Sequence, residues 1–482
     1  MRTTRLALPG RGLTHRLWKD RGGAVAVVLA ALIIPLVGFV GLAIDTGRGQ
    51  AVKARLAQAL DAAALAGGRV YFEGRRDDDI RMFFAANFPA GFMGARVQPL
   101  AIREDLAAGT LTVSTTATLD TSFMSVLGFG EMTVAGRTVV RRADRGMELV
   151  LVMDNTGSMY QGGGSGNRIN RMKAAAAELV DILYGNREVI DNFWIGLVPY
   201  TASVNVGSGR TSWLVPGSLA GLNYGTSSWK GCVEARDQTG HDMNDTPPSQ
   251  APFKPFHFAS FAEDNNWPSI DETAKTNTTS NNGRGPNLGC GPAITPLTAS
   301  KATVKAAIAN MNSWHRGGTT SNEGLAWGWR VISPRWRGLW GGATPATLPL
   351  DYGTRLMDKV AIILTDGKNE LYRHNNSSLG SDYGAFGRLK AGRLGTTTNL
   401  TTARRELNRR TLEICRAMKA QGVIIYAITF EVDNDTAGLE GKQTFRDCAT
   451  TPAHYFDNPV GTDLRQTFRV IAGRLGNLRL AE

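Results

Sequence analysis

A long apolar stretch near the start of the chain is the clearest hydrophobic pattern in the sequence. Ala24–Ile44 contains 21 residues and no charge. As a helix it would span roughly 31 Å, close to the thickness of the hydrocarbon core of a bilayer. Six basic residues and one acid precede it, which predicts a single membrane span, a cytoplasmic tail of residues 1–23, and the bulk of the chain outside the cytoplasm. A cleaved signal sequence and a buried soluble helix are the alternatives.

The helical pattern continues beyond the predicted span. Apolar residues recur at every fourth position, at Val52, Leu56, Leu60 and Ala64, and Gly67-Gly68 follows as a helix end. The sequence therefore predicts a membrane-proximal helix over residues 45–68 that is continuous with the span.

Residues 69–146 are expected to form a small α+β stalk domain that acts as a stalk or a pilin-like head between the membrane and the distal domain. Apolar and polar residues alternate in Ala95–Ile102, Thr110–Leu119 and Met132–Arg141, as they do in half-buried strands. The acids Asp77–Asp79 offer ligands for a cation, but they also open a predicted helix, where negative charge suits the helix dipole. We favour the second interpretation.

The remainder, residues 147–482, is predicted to be a doubly wound α/β domain with a mostly parallel sheet. Strand and helix patterns alternate along it. Glu148–Met153 and Val360–Leu364 carry the apolar runs that are typical of central parallel strands. A helix pattern over Arg168–Tyr184 follows the first of these strands.

Oxygen-bearing side chains follow both central strands. Asp154, Thr156 and Ser158 come directly after the first strand, and Asp366 comes after the second. Ligands bind at the carboxyl ends of strands in open α/β sheets, and carboxylate and hydroxyl oxygens suit a hard divalent cation. Taken singly, a D-x-T-x-S segment is usually a helix cap and T-D-G is usually a turn. Their order along the chain favours a shared metal site.

Two resemblances extend this interpretation. The segment RGGAVAVVLAALIIPLVGFVGLAIDTGRGQAVKARLAQALDAAALAGG resembles the N-terminal module of TadE/TadG-like proteins of the tight-adherence (Flp) pilus assembly system. The region 147–482, with its insertions, resembles a von Willebrand factor A domain. Its D-x-T-x-S segment, the distant Thr in Gly317–Gly324, and T-D-G match that family's metal-ion-dependent adhesion site.

The second resemblance implies a set of metal ligands. They are Asp154, Thr156, Ser158, Thr319 and Asp366. Thr319 is chosen over Thr320 because it lies five residues before Gly324, as in the family pattern. The family has serine at the position of Thr156, but threonine offers the same oxygen. The implied cofactor is a divalent cation, Mg²⁺ first, with Mn²⁺ and Ca²⁺ as alternatives.

The domain is longer than a simple A domain, mainly because of residues 207–296. This insertion is polar, with scattered tryptophan and phenylalanine. It is interpreted as an irregular excursion with an aromatic core rather than as a ligand-binding loop region. A second addition, residues 368–398, follows Asp366 and should rim the metal face. His315 precedes the Gly317 loop, so a position near the metal is one alternative, but a surface position is favoured.

The four cysteines are expected to form two local disulfides outside the cytoplasm. Cys232 and Cys290 flank the insertion, whereas Cys415 and Cys448 lie near the end of the domain. Four cysteines allow three connectivities, and four free thiols are a further alternative. The pairs that we predict are Cys232–Cys290 and Cys415–Cys448.

The net charge and the missing motifs argue against several other classes of protein. The net charge is +12, but six of the basic residues belong to the tail and no basic helix carries interleaved aromatics, so nucleic-acid binding is not expected. The chain has no phosphate-binding loop, no H-E-x-x-H and no G-x-S-x-G. These absences weaken the common nucleotide, zinc-protease and serine-hydrolase interpretations.

The resemblances together imply a single-pass protein of the bacterial inner membrane that acts in pilus assembly, secretion or adhesion and is not an enzyme. Its partners would be proteins that supply a carboxylate to the metal, and the sequence leaves the oligomeric state open. Two alternatives remain. One is a structural pilus-like subunit whose metal site only stabilises the fold. The other is a metal-dependent hydrolase that uses Asp154 and Asp366.

Overall fold

The computed structural model describes residues 21–69, 75–105, 110–141, 146–162, 166–238, 240–273, 283–458 and 463–478. Contacts between residues divide the chain into two compact units, with the boundary between Ala143 and Asp144. We call the residues up to Ala143 the N-terminal unit and Asp144–Arg479 the C-terminal unit, and each is described by itself.

The N-terminal unit is built on one long helix, α1, which covers the 49 residues of Arg21–Arg69. Among the described residues, α1 is the one helix that is long and apolar enough to cross a membrane. Most described side chains over Val27–Ile44 are exposed. Farther along, one face is buried, at Val52, Leu56, Ala59, Leu60, Ala63 and Ala64. The predicted continuation of the helix beyond the apolar stretch is therefore confirmed.

A second helix, α2 (Arg76–Asn87), and an antiparallel sheet pack on this buried face. The strands are β1 (Arg96–Val97), β2 (Ala101–Asp105), β3 (Thr110–Asp120) and β4 (Glu131–Arg141). The central strand is β3, with β4 along one edge and β1 and β2 along the other. Alternate residues of β3 are buried, as the period-2 pattern requires.

One predicted strand of this unit is divided in the structure. Ala95–Ile102 contains β1 and the start of β2 rather than a single strand. Pro99 lies between them, and proline has no N–H to donate to a ladder. The acids Asp77–Asp79 lie in the first turn of α2, in agreement with the helix-dipole interpretation.

The C-terminal unit contains, in its described part, a mixed sheet of eight strands in the order β14-β13-β11-β5-β6-β7-β8, with β9 beside β6. Neighbours from β14 to β6 run parallel, whereas β7, β8 and β9 are antiparallel to their neighbours. The strands are β5 (Gly146–Asp154), β6 (Phe193–Tyr200), β7 (Val204–Asn205), β8 (Cys232–Val233), β9 (Thr295–Thr298), β11 (Met357–Thr365), β13 (Ile424–Phe430) and β14 (Tyr455–Asn458). A separate short ladder joins β10 (Gly318–Thr319) to β12 (Glu370–Leu371).

Helices cover both faces of the eight-stranded sheet, which confirms the doubly wound α/β prediction. One face carries α3 (Arg168–Tyr184), α4 (Lys301–Ala309) and α8 (Leu464–Leu478), and the other carries α5 (Ser321–Ile332), α6 (Leu400–Ala420) and α7 (Thr436–Cys448). The sequence patterns did not predict α7, because Gly438 and Gly441 lower its helix propensity. The carboxylate of Asp435 caps it by accepting a bond from the Gly438 N–H.

The insertion, residues 207–296, is mostly irregular in its described part and buries most of its aromatic side chains. Trp213 stacks on Trp327 of α5 at a distance of 6.4 Å between ring centroids. The ring centroid of Phe253 lies 4.8 Å from that of Trp327. Trp213 and Phe253 join the main core, whereas Phe256 and Phe258 form a small separate cluster with Cys232 and Cys290. Every residue of α5 is consequently buried, so the insertion holds in place the helix that follows Thr319 and Thr320.

Both predicted disulfides are formed. Cys232 is bonded to Cys290 and Cys415 to Cys448, and the described chain has no free cysteine. The first links β8 to the end of the insertion, and the second links α6 to α7. Loops of 58 and 33 residues are closed by these bonds.

Reduction of the disulfides should expose four thiols and destabilise the C-terminal unit. The expected loss is about 2–4 kcal/mol for each bond, because an opened loop restores entropy to the unfolded chain. Intact-mass measurement after alkylation without reductant should show no added label. Four labels on the unreduced, natively purified protein would contradict both pairings.

Candidate metal centre

The two candidate carboxylates meet because their strands are neighbours in the sheet. β5 and β11 pair in parallel, with Met153 opposite Leu364. Asp154 ends β5, and Asp366 lies just beyond the end of β11. Both side chains are almost completely buried, with 0% and 3% of their surfaces exposed. The carboxyl edge of the sheet therefore places two acids side by side, as expected from the sequence.

Hydroxyl groups connect the two acids. The Ser158 hydroxyl donates to Asp366 Oδ1 at 2.7 Å, and its oxygen lies 3.1 Å from Thr156 Oγ1. The backbone N–H of Thr156 donates to Asp154 Oδ1, and the Thr365 hydroxyl donates to Asp154 Oδ2, each at 2.8 Å. The loop after β5 and the end of β11 thus form one continuous cluster of oxygen atoms.

The structure distinguishes the two threonines of the third loop. The Thr320 hydroxyl donates to the backbone carbonyl of Thr201 at 3.0 Å and is buried. Thr319 instead lines an open cleft of about 260 Å³ together with Thr156 and Ser158. Its hydroxyl has no hydrogen-bond partner among the described residues. This arrangement favours Thr319 as the ligand and indicates a structural role for Thr320.

Negative charge dominates the electrostatics of the cluster. Burial raises the pKa of Asp154, and burial together with the charge of Asp154 raises the pKa of Asp366 to about 7. Arg168, the first residue of α3, opposes this effect by donating to Asp366 Oδ2 at 3.0 Å. Asp154 has no such cationic partner in the described part of the chain, so a bound cation would stabilise its ionised form.

The donor atoms fit a hard divalent cation. In an octahedral Mg²⁺ shell, with Mg–O distances of about 2.0–2.1 Å, adjacent ligand oxygens lie about 2.9 Å apart. The oxygen–oxygen distances of 3.1 Å and 2.7 Å around Ser158 bracket that value. Each carboxylate oxygen also keeps lone pairs beyond the bonds that it accepts. Asp154, Thr156, Ser158 and Asp366 thus form one cluster of oxygen atoms, Thr319 lines the cleft beside it, and the assignment of these five residues as metal ligands stays a prediction.

The rim of the cleft contains residues that sequence patterns did not assign to the site. His315, expected at the surface, is half-buried and lines the cleft, and its Nε2 has no partner in the described chain. It packs against Gly157, where a Cβ would collide with its ring. Glu370 and Tyr372 also line the cleft, which confirms that the segment after Asp366 rims this face.

Two further residues, Arg168 and Glu431, are connected to the site through Asp366. Glu431 accepts a bond from Arg168 Nε at 3.0 Å and is also paired with Arg171. Through Arg168 it is connected to Asp366. Arg168 begins the helix after the D-x-T-x-S loop, so its position could have been noticed. Glu431, which follows β13, has no comparable sequence signal.

Strand order and helices on both faces make the C-terminal unit a doubly wound α/β domain with an oxygen cluster at the carboxyl edge of its sheet. Residues 23–70 match the family model described as "Tad: Putative Flp pilus-assembly TadE/G-like". The resemblance to TadG-like pilus proteins is thereby confirmed over the N-terminal segment. A search of curated proteins found no match.

Solved structures with a related arrangement include two bacterial pilus proteins. The pilus adhesin SpaC from Lactobacillus rhamnosus GG aligns with 79% of this chain at 12% identity and a TM-score of 0.34. The chain spans only 34% of the length of SpaC. The vWF domain of the type V pili tip protein Mfa5 from Porphyromonas gingivalis aligns with 69% of this chain and is itself covered to 96%, at 12% identity and a TM-score of 0.35.

A third structure is proximal thread matrix protein 1 from the mussel byssus, with a zinc-occupied MIDAS motif. It aligns with 71% of this chain, is covered to 47%, and has 13% identity and a TM-score of 0.30. These likenesses are too distant to support an argument about this chain. The fold class rests on its own strand order and register.

Thr319→Ala and Thr320→Ala should differ in their effect on stability when metal is removed by a chelator. Thr320→Ala loses a buried hydrogen bond to Thr201, which should lower the free energy of unfolding by about 0.5–1.5 kcal/mol. Thr319→Ala loses no such bond and should cost less. Urea denaturation followed by tryptophan fluorescence measures both. A larger loss for Thr319→Ala would contradict the roles assigned here.

Proposed function

We propose that this chain is a membrane-anchored von Willebrand A-like protein of Tad pilus assembly or secretion that captures a protein partner through a divalent cation. The observation that carries the proposal is the oxygen cluster around the buried Asp154 and Asp366, which adjoins an open cleft lined by Thr156, Ser158 and Thr319. Only two carboxylates contribute to the proposed ligand set. With five side-chain ligands, a six-coordinate ion would keep one coordination position free for a partner's carboxylate.

The proposed anchor is the first part of α1. Its exposed apolar surface suits lipid, and the basic residues before Ala24 suit the cytoplasmic side. The TadE/G-like match over residues 23–70 supports a pilus-assembly context. In this arrangement the protein would be a single-pass protein of the bacterial inner membrane, with the A-like domain on the periplasmic or outer side and protein components of the pilus system as partners.

Binding is favoured over catalysis by the hydrogen bonds at the site. The Ser158 hydroxyl donates to Asp366, so it is not paired with the base His315, which lines the same cleft. Nucleophilic catalysis requires a nucleophile within reach of its base. Two alternatives remain: a site that binds metal only to stabilise the fold, and a metal-dependent hydrolase that uses Asp154 and Asp366.

Titration calorimetry of the full chain in detergent with Mg²⁺, Mn²⁺ and Ca²⁺ tests the metal site. We expect saturable binding at one site, and we expect Thr319→Ala to weaken it by about tenfold or more, as is typical when a metal's surroundings are altered. Thr320→Ala is the matched control and should keep the affinity. Equal loss in both variants, or no binding by the unaltered protein, would contradict the assignment.

A cellular assay separates partner binding from a purely structural role. Both variants are produced at equal level in the source bacterium lacking its own copy, and surface pili are counted. If the site captures a partner, Thr319→Ala abolishes pili although the protein remains folded and membrane-bound, and Thr320→Ala supports them. If pili are lost only in proportion to the amount of folded protein, the stabilising alternative is right.

A further inference from the structure

The loop between β3 and β4, residues 121–130, is fixed to α1 immediately beyond the apolar stretch. The carboxylate of Asp45 accepts hydrogen bonds from three successive backbone N–H groups, those of Ser122, Phe123 and Met124, at 2.8–3.0 Å. Asp45 is 1% exposed. A buried carboxylate with three donors holds the loop at one height along the helix, because losing any of these bonds leaves a polar group unsatisfied.

The same loop also packs on the apolar stretch itself. A Cβ at Gly41 would collide with the side chain of Phe123, so this phenylalanine lies against the helix at a residue inside Ala24–Ile44. Gly41 is about 4.5 Å before Ile44 along the helix axis. The side chain of Phe123 thus lies below the level at which the apolar run ends.

The composition of the loop changes with distance from the apolar stretch. Phe123 and Phe129 remain 40% and 61% exposed. At the base of the loop, the first pair of the β3–β4 ladder joins Asp120 to Glu131. Both of these acids form ion pairs with Arg96. Exposed aromatic rings in the loop and charged side chains at its base are the pattern of a segment lying in a membrane interface.

We propose that loop 121–130 inserts Phe123 and Phe129 into the outer interface of the bilayer that α1 spans. The N-terminal unit would then rest on the membrane at two points, instead of standing away from it on the helix alone. This inference rests on the proposed membrane anchor. The occupant is a lipid surface, because the exposed ring of Phe123 continues the apolar surface of α1 at the height of Gly41. A second copy of the chain is the competing occupant.

Site-specific labelling of the full chain in phospholipid nanodiscs tests the proposal. Phe129→Cys is labelled with an environment-sensitive dye, and native thiols do not interfere because the described cysteines are all disulfide-bonded. Val139→Cys is the matched control. Val139 is also exposed, at 50%, and its neighbour Val140 contacts Gly68, about 40 Å along the helix from Gly41. Gly38→Cys, with no side chain nearby, reports on the span.

The expected result is blue-shifted emission at Phe129→Cys, with loss of signal to a lipid-attached quencher, as at Gly38→Cys. The Val139→Cys signal should be lost to aqueous iodide. Adding Asp45→Ala should make the dye at Phe129→Cys accessible to iodide while Gly38→Cys stays in lipid.

Three results would overturn the proposal in distinguishable ways. If iodide quenches Phe129→Cys while lipid quenches Gly38→Cys, the span exists but the loop does not insert. If neither quencher reaches Phe129→Cys, a protein surface covers it. If lipid fails to quench Gly38→Cys as well, the proposed membrane anchor fails together with the loop.

Discussion

Two acids buried side by side at one sheet edge set the main constraint on the C-terminal unit. Asp154 and Asp366 lie there because β5 and β11 are parallel neighbours in a defined register. Burial raises the pKa of both groups, so their ionised forms need compensation. Arg168 supplies part of it to Asp366, and the hydroxyls of Thr365 and Ser158 supply hydrogen bonds. A divalent cation would supply the rest.

The surrounding structure makes this arrangement rigid. Thr320 is bonded to Thr201, and the helix after it is buried throughout beneath the aromatic residues of the insertion. The ladder between β10 and β12 pairs Thr319 with Glu370, so backbone hydrogen bonds join the third loop to the segment after Asp366. The insertion therefore supports the loop that carries Thr319, one of the proposed ligands.

Much of this organisation was predictable because it depends on local pattern. Apolar runs ending in Asp154 and just before Asp366 indicated two central strands, and parallel strands bring their ends to a common edge. Four-residue periodicity indicated the buried face of α1. The two cysteine pairs, each local to its own region of the sequence, indicated their pairing. In each case short stretches of sequence carry the physical cause.

Features that depend on distant contacts were not predictable. Glu431 reaches the site through Arg168, and nothing around it marks that role. His315 was expected at the surface because a lone histidine carries no pattern. In the structure it packs against Gly157 and lines the cleft. The interruption at Pro99 needed the known ladder partner to be interpreted. Asp45 looked like the simple end of an apolar run, and its three bonds to Ser122–Met124 join it to a loop 77–79 positions away.

The central claim is that Asp154, Thr156, Ser158, Thr319 and Asp366 form one divalent-cation site. Anomalous diffraction from crystals of the protein soaked in Mn²⁺ tests it most directly, because the scattering locates the ion without assumptions about its ligands. The account predicts one strong peak within bonding distance of Ser158 Oγ and in contact with oxygen ligands of this set, and its loss in crystals of Asp154→Ala. A strong peak elsewhere, or a peak at this position that persists in Asp154→Ala, would contradict it.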